Sequence, residues 1–157
     1  MKMAVGSDCN CHLNQVITDY LKEKGIDVVR FGALGDGPAD NYVLSSRATA
    51  EAVASGECDL GLLFCTTGTG ASIVANKVPG VRAALCVDTF SAKISRLANN
   101  ANVIVLGIRL TGEMHAKEIL DTWLNTQPSD EPRRVNFHRG TDELDNYYRR
   151  SEVSNAV

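Results

Sequence analysis

The fold of this chain is decided by residues 60–70, which read Leu60-Gly61-Leu62-Leu63-Phe64-Cys65-Thr66-Thr67-Gly68-Thr69-Gly70. The first five residues are apolar almost without a break, as is typical of a strand that is buried on both faces of a parallel sheet. The strand is predicted to end at Cys65, and the glycines after it predict a loop and then a helix that ends at Asn76. A buried strand that leads through a glycine loop into a helix is typical of α/β proteins.

Strands and helices alternate in the same way on both sides of this stretch. Apolar runs predict strands at 2–5, 26–31, 60–64, 82–87 and 102–107. Amphipathic spacing predicts helices at 12–24, 42–55, 89–98 and 111–126, besides the helix that ends at 76. The alternation predicts a three-layer α/β domain with a five-stranded parallel sheet over residues 1–128. Ligands of such domains gather at the carboxyl ends of the strands.

The composition limits the classes of function. The 157 residues are 44% hydrophobic and 22% charged, which fits one compact domain. Lys and Arg number 16 and Asp and Glu 19, so no basic excess is present to neutralise a nucleic-acid backbone. No apolar run approaches the roughly 20 residues of a membrane span, and the polar residues after Gly6 argue against a signal peptide. We expect a cytoplasmic protein that binds neither nucleic acid nor a membrane.

Residues 129–157 differ from the rest of the chain. Arginines, among them Arg133 and Arg134, alternate there with acidic residues, and few side chains are apolar. This pattern predicts a C-terminal tail that is either solvated or wrapped around a partner subunit.

Five cysteines without an export signal predict free thiols in a reducing compartment. Cys9 and Cys11 lack the C-x-x-C spacing of a zinc site and the three histidines are scattered, so we expect no metal site. Cys58 and Cys86 lie in apolar runs and are expected to be core residues. Cys65 is different because it stands at the end of a strand, beside the glycine loop.

The segment from Cys65 to Ser72 carries the strongest signal for chemistry. Backbone N–H groups at a helix N-terminus lack partners within the helix, and they bind anions or developing negative oxygen. The same end of a helix favours the thiolate form of a nearby cysteine, which can act as a base. The hydroxyls of Thr67 and Ser72 add donors. The residues leave a second interpretation equally open, a phosphate-binding turn with an inert, buried cysteine.

Asp8, at the end of the first strand, is the second candidate. Its carboxylate is suited to accept hydrogen bonds from the hydroxyls of a substrate, or to cap the helix that begins near His12. Neither Gly6-Ser7-Asp8 nor the loop after Cys65 matches a nucleotide-binding motif, so nucleotide binding has little support.

Five separated blocks of the sequence form one ordered pattern. They are Val5-Gly6-Ser7-Asp8, Cys65 to Lys77, Gly80-Val81-Arg82-Ala83-Ala84, Asn99-Asn100-Ala101-Asn102-Val103 and Gly107-Ile108-Arg109. This pattern resembles the family of type B ribose-5-phosphate isomerases and galactose-6-phosphate isomerases. The resemblance implies a Rossmann-like α/β/α fold, no metal or organic cofactor, and active sites shared between the subunits of a homodimer or tetramer. It also implies the interconversion of aldose and ketose phosphates.

The resemblance places a catalytic centre at the glycine loop. Cys65 would be the base that moves a proton between C1 and C2 of an open-chain sugar. Thr67 would hold the enediolate oxygens, as an oxyanion hole does, together with backbone N–H groups of the loop. These N–H groups belong to Gly68, Thr69, Gly70, Ala71 and Ser72.

The other residues implied by the resemblance bind the substrate. Asp8 and Asn99 would position hydroxyls and the carbonyl oxygen. Arg109 and Arg134 match positions that bind phosphate, for which a guanidinium fork is well suited. Asp40-Asn41-Tyr42 replaces the tyrosine-proline block of the family, which leaves Tyr42 as a further candidate.

Two histidines of the family are missing here. Cys9, itself a further candidate, replaces one that helps to hold phosphate, and Ala98 replaces one that opens the sugar ring by proton transfer; Asp130 falls at a further basic position. A pentose 5-phosphate is mostly a furanose, whereas a tetrose 4-phosphate cannot close that ring because its O4 is esterified. The missing ring-opening acid therefore predicts a short, open-chain substrate such as erythrose or erythrulose 4-phosphate.

Two alternatives stay open. The depleted set of basic residues also suits an unphosphorylated or unusual sugar. A different class is a non-catalytic subunit that binds a sugar phosphate or completes the active site of another protein, since galactose-6-phosphate isomerases combine unlike subunits. The presence of Cys65 argues against such a subunit.

Overall fold

The computed structural model describes residues 1–154, with side chains through residue 148. The strands are β1 (Lys2–Ser7), β2 (Asp27–Gly32), β3 (Leu60–Cys65), β4 (Ala83–Leu85) and β5 (Val103–Gly107). The helices are α1 (His12–Glu23), α2 (Tyr42–Ala54), α3 (Thr69–Ala75), α4 (Thr89–Leu97), α5 (Glu113–Asn125) and α6 (Pro132–Ser154). Every predicted strand and helix is present, and α6 is additional. In this part of the chain no helix is long and apolar enough to cross a membrane.

The strands form one parallel sheet in the order β2-β1-β3-β5-β4. The predicted five-stranded α/β fold is therefore confirmed. Because all strands run in the same direction, the carboxyl ends of β1, β3 and β5 meet at one side of the sheet, which we call the carboxyl edge. Cys65 lies there opposite Gly107, the last residue of β5.

The helices cover both faces of the sheet. On one face, Leu62 and Ile104 pack with α1, α4 and α5 in a cluster that includes the fully buried Trp123. On the other face, Leu63 and Cys65 pack with small apolar residues of α2 and α3. Successive side chains of a strand point to opposite faces, so a sheet covered on both sides needs strands that are apolar throughout.

The strand ends differ from the prediction for reasons of pairing. The apolar run predicts a strand over 82–87, but only Ala83–Leu85 forms ladder pairs with β5. The Arg82 N–H donates instead to the Asn102 side chain at 2.8 Å. β1 pairs on both sides and extends beyond its predicted end to Ser7.

The tail contains a helix that the sequence analysis does not predict. α6 lies along the amino ends of β4 and β5, where Asp142 pairs with Arg82 at 2.9 Å and Asp145 accepts a hydrogen bond from the Gly80 N–H at 2.9 Å. Polar contacts rather than a buried apolar stripe attach this helix, so hydrophobic periodicity carries no signal for it. Residues 155–157 of the predicted tail lie outside the described residues.

Candidate active site

Three candidate residues lie at the carboxyl edge because they stand at or just after the ends of neighbouring strands. The ladder between β1 and β3 ends just before Asp8 and Cys65, so these two residues lie side by side along the edge. Arg109 follows β5, and its N–H donates to the Thr66 carbonyl at 3.1 Å, which joins the two loops. The Arg109 side chain is exposed at the same edge.

The Cys65 side chain lies at the start of α3. It is 7% exposed and belongs to the same buried cluster as Ala71, in the first turn of that helix. Within residues 1–148 its thiol makes no hydrogen bond. No described side chain therefore competes with a bound molecule for the sulfur.

The loop after Cys65 contains hydrogen-bond donors that lack a partner within the described chain. Gly68 begins α3 with a φ of +83°, which only glycine adopts without strain, and a Cβ there would collide with a β4 side chain. The first-turn N–H groups of Gly70 and Ala71 have no hydrogen-bond acceptor among the described residues. The exposed Thr67 hydroxyl donates to Thr69 Oγ1 at 3.3 Å. Such a group of donors suits a developing oxyanion.

Two of the predicted N–H donors are used within the turn. The Ser72 N–H donates to the Gly68 carbonyl at 3.0 Å, which closes the first turn of α3. The Thr69 N–H lies 3.5 Å from Thr67 Oγ1. Gly70 is therefore the better candidate for binding a substrate oxygen, because it is partly exposed, whereas Ala71 is fully buried.

Asp8 does not cap α1. The N-cap of that helix is Cys11, whose N–H donates to the Asn14 side chain at 3.0 Å. The Asp8 backbone carbonyl accepts from the Asp40 N–H at 2.7 Å, while its carboxylate makes no hydrogen bond within residues 1–148. The capping interpretation is therefore wrong, and the carboxylate is available to a ligand.

Cys9 does not supply the positive charge of the family histidine it replaces. Its side chain is half-buried, with the sulfur 3.7 Å from the Ser7 hydroxyl. Burial raises the pKa of the Cys9 thiol, while the Ser7 hydroxyl lowers it by a smaller amount. The thiol is therefore neutral at neutral pH and offers a phosphate no charge.

Tyr42 reaches the glycine loop from α2, the helix that it begins. The Asn41 side chain caps this helix by accepting from the Leu44 N–H at 3.0 Å. The Tyr42 ring lies against Gly70, since a Cβ on that glycine would come within 2.8 Å of the ring. The structure thus brings this further candidate to the loop that follows Cys65.

Asn99 and Arg134 lie at the opposite edge of the sheet. Asn99 precedes β5 and is exposed, whereas Cys65 lies beside the last residue of β5. At roughly 3.3 Å per residue, the length of that strand separates the two side chains. Arg134, on α6, shares a cavity of about 330 Å³ with Ala98 and Asn99. Its Nε donates to Glu131 at 3.1 Å, and one of its Nη atoms is buried without a partner in the described chain. A single chain does not bring the whole predicted site together.

His138 was not predicted as a functional residue, and it lies beside this second group. Its Nε2 is 2.6 Å from the Ala98 carbonyl oxygen. The signal that could have found it is helical spacing, because His138 follows Arg134 by four residues and shares its side of α6. That spacing is informative only once residues 132–154 are known to be helical.

No three side chains of the described His, Cys, Asp and Glu residues lie close enough together to hold a metal ion.

Comparison by sequence and comparison by structure find the same group of known proteins. Residues 3–137 match the family model described as Ribose/Galactose Isomerase. The chain is 42% identical over 128 residues to D-erythrulose-4-phosphate isomerase of Pectobacterium atrosepticum, covering 81% of this chain and 84% of that protein. It is 41% identical over 127 residues to ribose-5-phosphate isomerase B of Escherichia coli, covering 80% of this chain and 85% of that protein. The structure of Clostridium thermocellum ribose-5-phosphate isomerase B matches with a TM-score of 0.87 and 40% identity, covering 94% of this chain and 99% of that one.

Proposed function

The chain belongs to the ribose/galactose isomerase family, and we propose that it interconverts the aldose and ketose forms of a short sugar phosphate, with Cys65 as the base. The observation that carries the proposal is the place of this thiol. It is buried at the carboxyl end of β3, beside the unpaired N–H groups of Gly70 and Ala71. A base and a set of oxyanion donors are the two groups that proton transfer beside a carbonyl requires.

The proposed reaction is a pair of proton transfers through an enediolate. The Cys65 sulfur takes the proton from C2 of the open-chain aldose, and the electron pair of that C–H bond forms the C1–C2 double bond. The negative charge that develops on O1 is stabilised by the N–H group of Gly70 and by the Thr67 hydroxyl. The thiol then returns a proton to C1, and the proton of the C2 hydroxyl moves to O1, which leaves the ketose.

Asp8 and Arg109 hold the substrate on either side of the base in this proposal. The Asp8 carboxylate is free because Cys11 caps α1, and it lies beside Cys65 along the carboxyl edge. A carboxylate there accepts hydrogen bonds from the sugar hydroxyls. Arg109 follows the neighbouring strand and binds the phosphate through its exposed guanidinium.

We further propose that a second copy of the chain completes each site with its Asn99 and Arg134. The support is the distance along β5 that separates these residues from Cys65 within one chain. A two-fold dimer gives each site the same two halves, one from each subunit. The exposed Phe137 and Leu144 of α6 fit a tail that packs on this partner.

The expected substrate is a tetrose 4-phosphate rather than a pentose 5-phosphate. Ala98 offers no acid to open a sugar ring, and Cys9 offers no positive charge. Proteins named D-erythrulose-4-phosphate isomerase and ribose-5-phosphate isomerase B are almost equally similar, at 42% and 41% identity, so the choice rests on these two residues. We expect kcat/KM for erythrose or erythrulose 4-phosphate to exceed that for ribose 5-phosphate by about tenfold or more.

A substrate panel tests this proposal. Tetrose, pentose and hexose phosphates and one unphosphorylated tetrose are compared in steady state for aldose–ketose interconversion, with and without a chelator. A chelator should leave the rate unchanged, since no cofactor is expected. Efficient turnover of ribose 5-phosphate without tetrose activity would overturn the substrate assignment. Activity that appears only after an unlike family subunit is added would favour a heteromeric subunit instead.

A further inference from the structure

We propose that His138 is a positioning residue that fixes Asn99 and Arg134 as one unit. The proposal rests on the function above, in which these two side chains enter the active site of the partner subunit. His138 touches neither substrate nor base in this account. It acts through the backbone of the residue next to Asn99.

The contact between His138 and the Ala98 carbonyl is short and protected from water. The imidazole Nε2 lies 2.6 Å from the carbonyl oxygen, and the residue is 9% exposed. A carbonyl oxygen can only accept a hydrogen bond, so the proton lies on Nε2. A well-shielded hydrogen bond of this kind holds the main chain directly before Asn99.

The turn that presents Asn99 is held at three of its carbonyl groups. His138 donates to the Ala98 carbonyl, Arg82 Nε to the Asn100 carbonyl at 2.8 Å, and Arg96 to the Ala101 carbonyl at 2.6 Å. Asn100 adopts a φ of +48°, a conformation that asparagine tolerates better than most residues. The Asn99 side chain itself makes no hydrogen bond within residues 1–148 and is exposed. The turn is therefore fixed while the one side chain with a proposed role stays free.

Among these three donors, His138 is the one that comes from α6. Asp142 binds Arg82 and so reaches the turn only through that side chain, and Asp145 binds the Gly80 N–H before β4, away from the turn. Arg134 precedes His138 by one helical turn and lies on the same side of α6. The His138 hydrogen bond thus sets the distance between the two groups that must enter one partner site together.

The test is a double-mutant cycle between His138→Leu and Asn99→Ala. We expect His138→Leu to lower kcat/KM by about tenfold in the wild-type background and by less than about twofold when Asn99 is already alanine. His138→Gln, which keeps a donor at similar reach, should recover most of the activity. Asp145→Ala removes a different anchor of α6 and should lower the melting temperature without a comparable loss of kcat/KM.

If the losses of kcat/KM in the cycle are additive, His138 merely stabilises the helix. The same conclusion would follow if Asp145→Ala lost as much activity as His138→Leu while both variants had the same melting temperature. An inactive wild-type chain on every substrate of the panel would overturn the proposed function and this inference with it. Additive losses in an active enzyme would overturn the inference alone.

Discussion

Replacing Cys65 by serine is expected to lower kcat by about 10²–10⁴-fold, the usual contribution of a positioned general base. The serine hydroxyl is close to the thiol in size but is a far poorer proton acceptor at neutral pH. Cys65 is buried in an apolar cluster and its thiol makes no hydrogen bond in the described chain, so the serine hydroxyl is left without a partner and the variant should lose about 1–3 kcal/mol of stability. Steady-state rates and melting temperatures of the purified variant measure the two effects separately.

Cys11→Ser is the matched control for this substitution. Cys11 is the N-cap of α1, and serine is a favoured residue at that position, so the variant should keep its activity and its stability. A Cys65→Ser enzyme that keeps its kcat within about threefold of the wild type would contradict the assignment of the base.

Mixing two variants of low activity, Cys65→Ala and Asn99→Ala, is expected to raise the activity above that of either variant alone if the sites are shared. Cys65→Ala and Asn99→Ala each remove one half of every site in their own homodimer. In a mixed dimer, one site receives both substitutions and the other receives neither. Random re-assembly of equal amounts should therefore recover about a quarter of the wild-type activity, since half of the dimers carry one intact site.

The complementation is measured after joint unfolding and refolding, or after co-expression with two different tags. The control is the mixture of Cys65→Ala with Thr67→Ala, which lie in the same half of the site and should restore nothing. A mixture with Asn99→Ala that is no more active than the separate variants, while mixed dimers are shown to form, would place all the residues in one subunit.

The carboxyl edge could be predicted from the sequence because it depends on local patterns. Apolar runs indicate the parallel strands, and the residues that follow them, Asp8, Cys65 and Arg109, must then share one edge. The glycines after Cys65 likewise indicate a tight turn, and Gly68 does adopt a positive φ. Each of these features is encoded within a few neighbouring residues.

The opposite edge could not be predicted in the same way. α6 is polar and attaches through ion pairs and single hydrogen bonds, so no periodic pattern of apolar residues indicates it. The contact of His138 with Ala98 joins residues 40 positions apart through a backbone carbonyl, which carries no sequence signal. The choice between the two roles of Asp8 also needed the structure, because Cys11 is not a residue expected at an N-cap.

The central claim, proton transfer through an enediolate with Cys65 as base, is tested most directly by ¹H NMR of the reaction in D₂O. Wild-type enzyme and erythrose 4-phosphate are followed to equilibrium, alongside the Cys65→Ser variant at the same concentration. The account predicts that solvent deuterium enters the sugar at C1 and C2 with the wild type and that this exchange is lost with Cys65→Ser. Interconversion without deuterium at either carbon, or equal exchange in both proteins, would contradict it.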